Sequence, residues 1–119
     1  MKYMFLLYAP ERPRPEPGTA EGDEMFRAYS AAVGAMAQAG VLIDCAPLEP
    51  VSSATTVRVR NGETMLTDGP AAEIKEWLGG YTLVECADLD EALKWAATIP
   101  AARDASVEVR PVIKVERQP

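Results

Sequence analysis

Residues 67–81 read TDGPAAEIKEWLGGY and set three carboxylates and a lysine within nine residues, from Asp68 to Glu76. Asp68 precedes Gly69 and Pro70, and Glu73, Lys75 and Glu76 follow it. A carboxylate held at a strand end can work as a general base or orient a ligand. A second, partly desolvated carboxylate has its pKa pushed up and can exchange protons near neutrality. Asp68 and Glu73 are therefore the candidate catalytic residues. The plainer reading is structural. Asp-Gly-Pro is a common turn, Asp68 would cap a short helix begun by Pro70, and Glu73, Lys75 and Glu76 would form its solvated face. The two readings are compatible, since a cap fixes its carboxylate. Glu73 lies one helical turn from Trp77 and next to Ala72, which favours it as the residue facing a cleft.

Arg58 is the candidate anion ligand, because a guanidinium can fork onto a carboxylate or phosphate. Its plainer role is an ion pair with Glu85 or Asp68. Tyr8 and Tyr81 are candidate ligand-binding residues that could donate hydrogen bonds into a cleft. Gly79-Gly80 allows either a sharp turn, the favoured reading, or a close backbone approach. Cys45 and Cys86 have no basic neighbour in sequence and read as core thiols.

The chain contains no histidine. That removes Ser-His-Asp and Cys-His catalysis and most zinc and non-haem iron sites. The cysteines are far apart, so no tightly bound metal and no cofactor is expected; an all-carboxylate Mg²⁺ or Ca²⁺ site stays open, though no EF-hand spacing occurs. A net charge of −6 disfavours nucleic acid as a partner, since binding it requires a basic stripe. The apolar run in MKYMFLLYAPE is too short to span a membrane. With no basic leader ahead of it, it reads as a strand of a cytoplasmic protein with free thiols.

At 119 residues and 48% hydrophobic composition, the chain is read as a single globular domain over 1–119. Residues 2–8 are apolar at both alternating sets, with Tyr3, Phe5 and Leu7 on one face and Met4, Leu6 and Tyr8 on the other. Such a strand is covered on both faces. Residues 9–18 hold four of the ten prolines and form an extended surface loop, either a connector or a lid. The spacing of Met25, Tyr29, Ala32, Val33 and Met36 predicts a helix over 20–39, ended by Gly40. A strand at 41–50 breaks at Pro47. Asn61-Gly62 predicts a type I′ hairpin that pairs Arg60 with Glu63, Arg58 with Met65 and Val57 with Leu66. A strand over 80–87 follows. Asp88 and Glu91 then form a capping-box start to a helix bearing Leu89, Ala92, Leu93, Ala96 and Ile99 on one face, stopped by Pro100. Residues 106–115 alternate as a last strand, and Pro111 marks it as an edge or a bulge. The expected fold is α+β: a split βαββαβ unit with an inserted hairpin and helices on one face of the sheet. A second copy is the simplest cover for the other face, giving a homodimer.

The whole chain resembles the YCII-related family in its DGPF branch. The matching residues are Tyr3-Met4 with Leu6-Leu7-Tyr8, Gly40-Val41-Leu42, and Thr55 through Arg60. Thr67-Asp68-Gly69-Pro70, Ala72-Glu73, Lys75-Glu76 and Leu78 through Tyr81 also match. Leu89 through Leu93, Pro100-Ala101-Ala102 and Val107 through Pro111 complete the set. The resemblance implies a dimeric α+β barrel built on a ferredoxin-like protomer. It also implies an association with extracytoplasmic-function sigma factors, but no known reaction. A His-Asp pair proposed as catalytic in the broader family has no counterpart here. Ala71 stands where the branch has its signature phenylalanine, leaving room that an aromatic would fill.

Two functions follow as expectations. In the first, the homodimer binds a small molecule or a protein partner, such as a sigma-factor-related protein, as an accessory or regulatory module. In the second, it is a cofactor-free enzyme acting on a small organic acid, with Asp68 or Glu73 as acid/base and Arg58 as clamp.

Overall fold

The apolar opening run forms β1 (Lys2–Pro10), and its alternation divides the protein into two faces. Tyr3 and Phe5 point into the core, at 3% and 0% exposure. Met4, Leu6 and Tyr8 point the other way and are only half-buried. The computed structural model describes residues 1–10, 14–72 and 75–116.

The main sheet has four strands in the order β2-β5-β1-β6. These are β2 (Leu42–Pro47), β5 (Glu76–Glu85), central β1 and edge β6 (Ser106–Pro111), all neighbours antiparallel. Helix α1 (Ala20–Gln38) links β1 to β2. Helix α2 (Leu89–Ala96) and the short α3 (Ala101–Asp104) link β5 to β6. That order and connection is the ferredoxin-like split βαββαβ unit of an α+β fold. Between β2 and β5 the chain inserts a separate hairpin, β3 (Thr55–Arg60) and β4 (Glu63–Asp68).

Local chemistry explains most boundaries. The Thr19 side chain caps α1 by accepting from the Gly22 amide at 3.1 Å, and Gly40 leaves the helix at φ +78. Asp88 caps α2 by accepting from the Glu91 amide at 2.9 Å, while the Glu91 carboxylate accepts from the Ala87 amide at 3.3 Å. Asn61 and Gly62 both adopt positive φ, at 52 and 77, so the turn is I′ and the hairpin has the expected register. Pro111 sits on the edge strand, where its missing N–H is tolerated.

The helices pack one face of the sheet. Met36 of α1, Ala92 and Ala96 of α2, Ile99 and Ala101 close over Tyr3, Phe5 and Val84. The other face carries Met4 opposite Leu83, Leu6 opposite Tyr81 and Glu108, and Tyr8, further along β1. None of them belongs to the helix-covered core.

Four expectations are corrected. Among the described residues between β4 and β5 there is no helix. Glu76 and Trp77 instead open β5, paired with Pro10 and Ala9 of β1. Sheet pairing gives this backbone partners that a helix ended at once by Gly79-Gly80 could not retain. The two glycines are not a turn. The β1–β5 register slips there, leaving Gly79 as the extra residue of a bulge. Gly80 meets β2 so closely that a Cβ on it would sit 2.9 Å from the Ala46 carbonyl oxygen. On α2, Leu89 and Leu93 are 45% and 46% exposed. The helix is seated through small Ala92 and Ala96 with Trp95 beside them, which leaves the two leucines at the margin. Helix α2 already ends at Ala96, four residues before Pro100, and Pro100 instead stands at the start of α3, which the sequence does not announce.

Candidate functional site

A cleft of about 320 Å³ opens where the end of the open sheet face meets two connections. Tyr8 of β1 and Trp77 and Leu78 of β5 come from the sheet. Leu48, Glu49, Val51 and Ala54 come from the segment joining β2 to β3, and Pro70, Ala71 and Ala72 from the turn after β4.

Each wall is anchored by the chain itself. The Leu48 amide donates to the Gly79 carbonyl at 2.8 Å, fixing the β2–β3 connection on the bulge of β5. Residues Val51–Ser53 form one 3₁₀ turn, closed by the Ala54 amide on the Val51 carbonyl at 3.0 Å. The turn after β4 hangs on the hairpin. The Gly69 amide donates to the Ala54 carbonyl at 2.8 Å, Thr56 Oγ1 donates to the Gly69 carbonyl at 2.7 Å, and Arg58 Nη2 donates to the Ala71 carbonyl at 3.2 Å. Gly69 takes φ +104, a left-handed angle that turns the chain away from β4 and puts Pro70 in the cleft wall.

The candidate residues distribute unevenly around this cleft. Tyr8 lines it, with its hydroxyl directed at Glu108 Oε1 of β6 at 3.5 Å. Arg58 does not line it and forms no ion pair with Glu85 or Asp68; its guanidinium is engaged on the Ala71 carbonyl. Asp68 is the exposed last residue of β4, paired with Thr55, and among the described residues its side chain caps nothing. Tyr81 lies on the open face of the sheet away from the cleft, and its hydroxyl donates to Asp44 Oδ2 at 3.0 Å. That hydrogen bond, and then the charge of Asp44, raises the Tyr81 pKa above the usual tyrosine value. Glu73 lies outside the described residues, as do Glu11–Pro13 of the proline-rich loop. Arg14 from the described part of that loop donates to the Leu48 carbonyl at 3.0 Å.

Sequence reasoning missed Trp77, Leu48, Glu49 and Val51 as lining residues. It also missed two polar pairs near Tyr8. Ser106 Oγ lies 2.9 Å from both carboxylate oxygens of Glu76, and Arg110 pairs with Glu108. Ser106 stands directly opposite Tyr8 in the β1–β6 register. The Glu108 carboxylate holds the Arg110 guanidinium even more firmly protonated than usual, first through their hydrogen bond and then through charge. A usable signal existed only for Tyr8, whose alternation already put it on the open face.

Both thiols are free. Burial, and then the neighbouring Glu91 carboxylate, pushes the Cys86 thiol up. Among the described residues no group of three or more potential ligand side chains is arranged to hold a metal ion. No helix among them is long and apolar enough to cross a membrane.

The chain is similar to an uncharacterized protein of Rhizobium meliloti (strain 1021), with 40% identity over 114 residues, 94% of this chain and 92% of that one. Among solved structures it is similar to the 5-chloro-2-hydroxyhydroquinone dehydrochlorinase of Burkholderia phenoliruptrix AC1100, in complex with 2,5-dihydroxybenzoquinone. That likeness has a TM-score of 0.49 at 15% identity and covers 95% of this chain and 94% of that chain. The family model of the YCII-related domain matches residues 1–116, and the chain belongs to that family.

Proposed function

We propose that the protein is a homodimeric, cytoplasmic binding module whose cleft takes a small, largely apolar molecule. The observation that carries this reading is the cleft itself, with about 320 Å³ of space and walls of Leu48, Val51, Ala71, Trp77 and Leu78. Ligand pockets run from about 300 Å³ upward and are mostly apolar with a few placed polar groups, so this one accommodates roughly one substituted ring. Ala71 supports the reading, because its small side chain leaves open a space that a larger one would fill.

Homodimerisation is supported by the open face. Met4, Leu6 and Leu83 are half-buried there without a helix over them, and a second sheet is a self-complementary cover. As a regulatory module, the protein would pass ligand occupancy on to a protein partner. The family resemblance makes a sigma-factor-related protein the partner to test first.

The enzymatic alternative is a cofactor-free reaction on a small organic acid, with Asp68 or Glu73 as acid/base. The hydroxyl of Tyr8 directed at Glu108 beside the cleft favours it, as a pair able to relay a proton. The engagement of Arg58 on a backbone carbonyl counts against an anion clamp.

The binding reading is tested by Trp77 fluorescence and thermal melts during titration with single-ring compounds, for wild type and Ala71→Trp. Saturable binding that is lost in Ala71→Trp supports it. Binding that survives the blocking substitution contradicts it.

A further inference from the structure

Among the described residues that line the cleft, Glu49 is the only charged side chain, and none is a lysine or arginine. Arg14 and Arg58 stay charged beside its walls but do not line it, donating instead to the Leu48 and Ala71 carbonyls. Two aromatic side chains, Tyr8 and Trp77, line the same space. An aromatic ring carries negative potential over its face and attracts a cation within about 6 Å of its centre, most strongly when the ring is that of Trp. The Tyr8 hydroxyl proton is directed at Glu108, so the lone pairs of its oxygen are what it can offer a ligand. The chain as a whole carries −6, so its field also favours cations.

We infer that the cleft selects a small organic cation: an ammonium group on an apolar body of about one ring, with the charge beside Glu49 and the rings of Tyr8 and Trp77. This rests on the reading of the cleft as a ligand site and adds the ligand's charge to it. An organic acid of the same size would put its carboxylate near Glu49, with no cation among the described lining residues to offset the repulsion. A neutral ring would gain the apolar contacts only.

The test uses three probes of similar size: benzyltrimethylammonium, benzyl alcohol and benzoate. Each is titrated calorimetrically into the full chain and into Glu49→Gln. Glu49 is exposed in a connection, so the substitution removes charge without touching the core. Benzyltrimethylammonium should bind at least about tenfold more tightly than benzoate, a difference of ~1.4 kcal/mol. Glu49→Gln should weaken the cation severalfold and leave benzyl alcohol unchanged. If benzyl alcohol binds wild type as well as the cation does, or if Glu49→Gln binds the cation like wild type, charge selection is overturned while the apolar cleft stands. Tighter binding of benzoate overturns it in favour of an organic acid. If no probe binds at millimolar concentration, the inference and the cleft reading fall together. The comparison of probes on wild type decides the matter even if the variant is unstable.

Discussion

Arg58 of β3 donates to the carbonyl of Ala71 at 3.2 Å, so the inserted hairpin braces the turn that walls the cleft. This arginine acts on the site through the backbone rather than through a ligand. Arg58→Ala should cost about 0.5–1.5 kcal/mol, the usual net worth of one hydrogen bond, measured by urea or thermal melts. Any cleft ligand should weaken in the same variant, because the Pro70–Ala72 wall loses a tie.

Asp68 gives the opposite expectation. With no helix to cap among the described residues that follow it and an exposed side chain at the end of β4, Asp68→Asn and Asp68→Ala should both stay within about 0.5 kcal/mol of wild type, as surface substitutions do. Had it been a helix cap, Ala would cost about 0.5–2 kcal/mol and Asn much less. Melting the two variants side by side separates these cases.

Two glycines allow close backbone approach. A Cβ on Gly80 would lie 2.9 Å from the Ala46 carbonyl oxygen, and one on Gly22 would lie 2.0 Å from the Glu16 carbonyl oxygen. Both neighbours are backbone and cannot rotate away. Gly80→Ala should cost about 1–3 kcal/mol by overpacking, and Gly22→Ala should cost at least as much. Gly34→Ala is the control. Nothing lies within 4 Å of its Cβ position, and alanine is the better helix former, so it should be neutral or stabilising.

The Cys86 thiol is pushed up by burial and by Glu91. Its folded pKa therefore lies above the unfolded one. The stability linked to that proton is fully present below the unfolded value and is lost as pH rises through the folded value. Native alkylation at pH 8 should modify half-buried Cys45 well before buried Cys86, and denaturant should remove the difference. Mass spectrometry of partly labelled protein reads this directly. Equal labelling of both native thiols would contradict the packing described for Cys86.

What was legible in the sequence was local. Asn61-Gly62, Gly40 and the Asp88–Glu91 pair each carry their structural consequence within a few residues, and the alternation of β1 separated its two faces. The segment from Pro70 to Trp77 was misread because its fate depends on β1, more than sixty residues away. Glu76 and Trp77 extend a strand only because Pro10 and Ala9 lie opposite. The cleft was illegible for a similar reason. Its walls come from β1, from the β2–β3 connection, from the turn after β4 and from the start of β5, and no spacing in the chain announces that they meet.

Whether a small molecule occupies the space between Tyr8, Leu48, Ala71 and Trp77 is read most directly by amide NMR of the full chain during titration with benzyltrimethylammonium. Saturable shifts are expected at Ala54, Ala71, Ala72 and Leu78, with Thr64 and Ala97, far along the hairpin and beyond α2, unmoved. Shifts confined to the open face around Met4 and Leu83, or none up to millimolar probe, would contradict that occupancy.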